Sequence, residues 1–261
     1  MTDSSLWILG AFLLTTGALA LLLRRAWAEV TRLRQRLKDA SAELQSLQLA
    51  FSRFAPDALV ERIIADGIPT SGENKEVTVL FADLVGYTAL AERVEPTVLV
   101  EILNGYFERM SRAIKEHGGH VSTFLGDGIL ALFGALEPNP WQGNDAVHAA
   151  LAMRAELASY SRELQARGLP PLGIGVGLHR GIGVAGLVGS RDKKEFTIVG
   201  RTINVAARLQ GLTRSHAGDI LLTEDLRKTL EPRFVLRALP PVELRGIAEP
   251  VSIYAVEHFE R

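Results

Sequence analysis

Val77-Thr78-Val79-Leu80-Phe81-Ala82-Asp83-Leu84-Val85-Gly86-Tyr87-Thr88 decides how this chain is read. Mainly apolar, partly β-branched residues run into an aspartate, and a glycine three positions later lets the backbone turn. The pattern predicts a buried central strand over 77–83 that carries one carboxylate to its exposed end. A second carboxylate, Asp127, stands between Gly126 and Gly128 at the tip of an expected hairpin. Each aspartate lies where an apolar strand gives way to glycine, so both can meet at one end of a sheet. Converging carboxylates repel, which favours a hard divalent cation such as Mg²⁺ or Mn²⁺ held through oxygen. The same residues also fit two ordinary turns.

Outward from this strand the pattern alternates. A helix with Pro96 near its start runs to about His117 and stops at Gly118-Gly119. Strands follow at 120–125 and 129–133, then a helix over 143–167 closed by Gly168 and Pro170. Strands at 172–179 and 182–188 read as a hairpin, followed by strand 195–199 and a helix from about Thr202 to Leu209. The tail gives strand 219–222, a helical turn at 223–230, and strands near 233–238, 242–245 and 251–256. Strands paired by hairpins, with helices between them, predict an α+β domain over 76–257 with helices on one face of a sheet. A linker at 56–75 precedes it, marked by Pro56, Gly67, Pro69 and Gly72.

The first 55 residues differ in kind. Leu6 to Leu23 is an uncharged apolar run, close to the ~20 residues that a helix needs to cross a bilayer. Arg24, Arg25, Arg32, Arg34, Arg36 and Lys38 follow it, whereas Asp3 precedes it. The pattern predicts one transmembrane helix over 6–23, a short extracytoplasmic stretch at 1–5, and a cytoplasmic remainder at the plasma (inner) membrane. Leu23, Val30, Leu37, Leu44 and Phe51 then fall seven apart, as do Ala26, Leu33, Ala40, Leu47 and Phe54. These are the a and d positions of a coiled coil over 24–55, read as a parallel homodimer.

Composition removes several classes of function. The net charge of −1 gives no electrostatic footprint for nucleic acid. The absence of Cys excludes disulfides, thiolate metal sites and cysteine nucleophiles. Gly181 to Gly186 matches G-x-G-x-x-G, but strand-like residues follow it instead of a helix, and no acid stands near 206. There is no G-x-x-x-x-G-K-[ST] either. Asn204 and Arg208, four apart, share a helix face. An amide beside a guanidinium suits a phosphoryl transition state, and the pair also fits a plain solvated face.

Three separated stretches, Phe81 to Thr88, Phe124-Leu125-Gly126-Asp127-Gly128 and Thr197 to Arg208, resemble the class III nucleotidyl cyclases in order and content. Phe51 to Pro56 and Leu244 to Val251 extend the resemblance. It implies a ferredoxin-like catalytic domain that works as a homodimer with composite sites. Asp83 and Asp127 would hold two Mg²⁺ or Mn²⁺ ions with the Leu84 carbonyl, and backbone N–H groups at Gly86, Tyr87 and Thr88 would hold the β- and γ-phosphates. Asn204 and Arg208 would come from the second chain, on the ribose and the α-phosphate. Thr123 and Thr197 match the positions that read the purine. Adenylyl cyclases usually carry lysine where Thr123 stands, and guanylyl cyclases glutamate; Ile182 and Ile247 stand where some relatives have cationic phosphate contacts. The resemblance implies a membrane-anchored adenylate cyclase that makes 3′,5′-cyclic AMP from ATP. The other readings are a guanylate cyclase, or a weakly catalytic dimeric signalling module.

Overall fold

The computed structural model describes residues 24–25, 27–44, 59, 61, 64, 72–190, 194–215, 219–247 and 249–260. The chain divides into two units, Met1–Val60 and Glu61–Arg261. In the first, residues 27–44 form a helix. Its seam residues Val30, Leu33, Leu37 and Leu44 are exposed in the single chain. The expected membrane span at 6–23 and the outer parts of the expected coiled coil lie outside the described residues. Among the described residues, no helix is long and apolar enough to cross a membrane.

The second unit alternates strands and helices. In order they are β1 (Glu73–Val85), α1 (Tyr87–Ala91), α2 (Pro96–Glu116), β2 (His120–Leu125), β3 (Gly128–Phe133), α3 (Gln142–Ala166), β4 (Gly173–Gly189), β5 (Lys194–Val199), α4 (Arg201–Leu212), β6 (Ile220–Thr223), α5 (Glu224–Arg227), β7 (Phe234–Val242) and β8 (Val251–Phe259). The strands form one sheet ordered β2-β3-β1-β4-β6-β8-β7, with β5 paired to the far half of β4. β1 and β4 lie antiparallel at its centre, from Glu73 opposite Ala185 to Val85 opposite Gly173.

Period-two alternation sorts β1 into two faces. Leu80, Ala82 and Leu84 join Ile174, Val176 and Leu178 of β4 in the main core, against α2 and α3. α2 presents Ile102, Tyr106, Met110, Ala113 and Ile114, a recurrence of three and four that makes one apolar stripe. Each such aliphatic side chain, once buried, stabilises the fold by about 1.5–3 kcal/mol. Polar pins fix the layers. The Thr78 N–H donates to Gln142 Oε1 at 2.8 Å, while Gln142 Nε2 donates to the Glu76 carbonyl at 3.1 Å, tying the start of α3 to β1. The Tyr160 hydroxyl donates to the Ile102 carbonyl at 3.1 Å and joins α3 to α2.

Two expectations about the central layers need correction, and a third about the edge. Residues 173–189 are one continuous strand, not a hairpin, and helices cover both faces of the sheet, not one. Both corrections have the same cause. Gly175, Gly177 and Gly181 alternate along β4 on the face opposite the main core, and α4 packs there. A Cβ on Gly177 would lie 2.3 Å from the Gln210 nitrogen and 2.5 Å from the Ala206 carbonyl oxygen, so helix and strand backbones touch. Gly175 faces Thr213 and Gly181 faces Thr202 in the same way. A second small core, Leu209, Leu221, Ile253 and Ala255, closes that layer. β7 likewise runs unbroken through Pro240-Pro241, where a gap between two strands was expected. Its place at the edge of the sheet tolerates the prolines, and its register to β8 shifts between Leu239 and Val242.

Candidate active site

β1 delivers Asp83 to the end of the sheet on the α4 face, opposite Gly175 of β4. Its side chain lies beside Gly128, where a Cβ would stand 3.6 Å from Asp83 Oδ1 and 3.3 Å from the Ala82 carbonyl oxygen. Asp127 occupies the β2–β3 turn, reached through Gly126 at φ +67°. The two carboxylates converge as the sequence predicts. Burial, then the negative charge of Asp83, hold the Asp127 carboxyl above the ordinary carboxylate range, and the positive charge of Arg214 opposes this.

This donor set fits a divalent cation. No cluster of three or more His, Cys, Asp or Glu that could hold a metal occurs among the described residues, so no closed protein cage exists there. Two carboxylate oxygens, a strand-end carbonyl and open solvent suit a small hard cation that keeps waters and takes substrate oxygens. The next turn adds donors. Gly86 has φ 95°, in the left-handed region, and is the N-cap of α1. Tyr87 and Thr88 open that short helix, where N–H groups have no intrahelical acceptor.

The other predicted residues lie elsewhere on the chain. Asn204 is exposed on α4; Arg208 is half-buried, its guanidinium 3.6–3.7 Å from where a Cβ on Gly246 would stand. The end of α4 at Thr213 packs on Gly175, level with Asp83. Asn204 is nine residues earlier, about 13 Å along the helix, and Arg208 about 7 Å. One chain thus brings the aspartates together and sets Asn204 and Arg208 apart from them. Thr123 and Thr197 stand on adjoining strands: Ser122 Oγ donates to the Phe196 carbonyl at 2.8 Å, and each threonine is the next residue. The Thr123 hydroxyl has a long 3.5 Å contact to the Phe124 carbonyl. Ile182 and Ile247 share a cleft of about 600 Å³ with Arg180, Arg201 and Lys228.

One residue at the aspartates had no signal in the sequence. Arg214, just beyond α4, donates from Nη2 to Asp83 Oδ2 at 2.7 Å. A lone arginine after a helix is common, and only the packing of α4 along β4 places it here. Tyr106 was likewise unmarked. Its hydroxyl is buried without a hydrogen-bond partner among the described residues, and burial, then the charges of Asp83 and Asp127, raise its pKa.

Residues 70–258 match the family model of the adenylate and guanylate cyclase catalytic domain. The chain belongs to this family. It is 35% identical to an adenylate cyclase of Anabaena cylindrica over 221 residues, 80% of this chain and 43% of that protein. The chain spans less than half the length of the curated relatives it matches most strongly. Among solved structures, it resembles the adenylyl cyclase CyaB from P. aeruginosa at 30% identity and TM-score 0.69, covering 73% of this chain and 97% of that one. The guanylyl cyclase Cya2 matches at 30% identity and TM-score 0.67, covering 73% and 95%. The α+β catalytic fold is therefore that of the cyclases, and Asp83 and Asp127 lie inside the matched region.

Proposed function

We propose that the chain is an adenylate cyclase that converts ATP to 3′,5′-cyclic AMP and pyrophosphate at sites shared by two copies. The convergence of Asp83 and Asp127 at the open end of the sheet carries this reading. Two divalent cations bound by these carboxylates would activate the ribose 3′-hydroxyl and neutralise the triphosphate. The N–H groups of Gly86, Tyr87 and Thr88 bind the β- and γ-phosphates, and the Leu84 carbonyl would add an oxygen ligand to the cations. Asn204 from the second copy orients the ribose, and Arg208 stabilises charge on the α-phosphate. The 3′-oxygen bonds to the α-phosphorus as the bond to pyrophosphate breaks, and the hydroxyl proton leaves to water.

The separation of Asn204 and Arg208 from the aspartates within one chain supports the shared site. The adenine reading rests on Thr197, whereas Thr123 offers the base a hydroxyl without the charge that would sharpen discrimination. The adenylate cyclase relative supports it, although adenylyl and guanylyl cyclase structures are equally similar to this chain. A homodimer through the heptad seam of 24–55 and a membrane anchor at 6–23, with the catalytic unit cytoplasmic, complete the proposal. Exposure of the seam in the single chain supports the pairing.

The test mixes two inactive variants, Asp83→Ala and Arg208→Ala, with Mn²⁺ and either ATP or GTP. Cyclic product returning in the mixture supports a shared site, and ATP turned over faster than GTP supports the base assignment. No product from wild-type protein with either nucleotide would remove the enzymatic reading.

A further inference from the structure

The Asp83–Arg214 pair is a contact between a proposed metal ligand and a largely exposed guanidinium. The Arg214 side chain is 64% exposed and that of Asp83 24%. The guanidinium is thus largely exposed to solvent and reaches the carboxylate from the turn after α4. A guanidinium and a divalent cation cannot use the same Asp83 Oδ2 lone pairs, and two positive charges at that spacing repel. A metal that takes Oδ2 therefore displaces Arg214. Its planar fork is then a free phosphate-binding group at the mouth of the site. The cationic side chains around Ile182 and Ile247 do not serve this end of the strand. Arg180 there is paired to Glu76 at 2.9 Å, seven residues before Asp83 along β1, or about 23 Å.

We infer that Arg214 has two successive partners: Asp83 in the metal-free chain, and the polyphosphate of the substrate once metal has taken Asp83. It is a substrate-binding residue supplied by the same chain as the aspartates, and it competes with the metal beforehand. This rests on the cyclase reading above, and it predicts opposite effects of one substitution. Without Arg214, the metal binds more tightly and the triphosphate more weakly. A residue that merely braced the loop after α4 would weaken both or neither.

The experiment uses the full chain. Metal-free wild type, Arg214→Ala, Arg214→Lys and Asp83→Ala are titrated with MnCl₂ alone, and free Mn²⁺ is read by electron paramagnetic resonance. α,β-Methylene-ATP is then titrated into Mn²⁺-saturated protein. Arg214→Ala is expected to bind Mn²⁺ about two- to fivefold more tightly, the range of an exposed ion pair, and the nucleotide analogue about tenfold more weakly. Arg214→Lys, which keeps the charge, is expected to stay within about twofold of wild type for Mn²⁺. Asp83→Ala losing Mn²⁺ binding while Arg214→Ala matches wild type in both titrations would overturn this inference and leave the cyclase reading intact. Asp83→Ala binding Mn²⁺ as wild type does would overturn both.

Discussion

Gly177→Ala tests whether contact between α4 and β4 sets the site. The added Cβ would stand 2.3 Å from the Gln210 nitrogen, 2.5 Å from the Ala206 carbonyl oxygen and 2.8 Å from the Gln210 Cα. All three are backbone atoms, so no side chain can turn aside. Relief to an ordinary contact near 3.4 Å requires α4 to lift by about 1 Å, or β4 to bulge. Overpacking of this kind costs about 1–3 kcal/mol. For a domain of this size that is a fall in Tm of roughly 2–10 °C. Activity should suffer more than stability, because α4 carries Asn204, Arg208 and the approach to Arg214. A misplacement of about 1 Å at such groups can cost on the order of 100-fold in kcat. The control is Gly211→Ala on the same helix, where a Cβ meets nothing within 4 Å. There alanine should stabilise by up to about 1 kcal/mol with activity unchanged. Thermal melts and cyclase assays on the two variants decide the matter. A Gly177→Ala protein that melts and turns over like wild type would refute the claim that helix–strand contact positions the site.

Other outcomes follow from charge and packing. Asp127→Asn removes like-charge repulsion from a partly buried pair, so the metal-free protein should melt about 1–3 °C higher. The same variant should lose both the Mn²⁺-induced rise in Tm and the activity. His179 and His120 have their pKa lowered to about 4, in each case chiefly by burial. Their neutral forms are full contributors above pH 6.5 and lose that contribution as pH falls through 4. At pH 5 each should cost up to about 2 kcal/mol. The slope of denaturation midpoint against pH between 6.5 and 4 should therefore flatten in His179→Gln. Leu37 is 72% exposed on the helix of residues 27–44. Leu37→Lys should shift the full chain toward monomer in analytical ultracentrifugation and lower specific activity at low protein concentration, by disrupting the proposed seam.

What the sequence disclosed was set by how local each signal is. The apolar run into Asp83 carries its period and its stop within a dozen residues, and the Gly126-Asp127-Gly128 turn is legible for the same reason. Their convergence further requires β1 to pair with β3, with Ala82 opposite Ile129, a contact between distant parts of the chain. The glycines of β4 signal close backbone approach, but a glycine that admits a helix backbone looks like one that faces a second strand across a hairpin; only the partner, α4, distinguishes them. α1 has no sequence signal, because its N-cap is Gly86, with no Ser, Thr, Asp or Asn to announce a start. Pro240-Pro241 suggested a break because edge position, which makes proline tolerable, is a property of the whole sheet. Arg214 is the extreme case. It lies 131 residues from Asp83, and nothing near it in the sequence refers to a carboxylate.

These placements bear on why the aspartates persist together at the end of the sheet. Asp127 is held partly out of water beside a second carboxylate, an arrangement that opposes folding in the absence of a counter-charge. Arg214 supplies one positive charge, but from a largely exposed side chain, where screening limits its effect to about 1 kcal/mol or less. The pair is thus only partly neutralised in the single chain. A tighter, buried arginine would neutralise it further and stabilise the metal-free fold, but it would also close the site to a cation. An exposed guanidinium offsets the carboxylates' charge yet is itself displaceable. The weakness of the Arg214–Asp83 contact is therefore what the proposed chemistry requires of it: enough attraction to offset part of the repulsion, and too little to hold the site against a divalent ion.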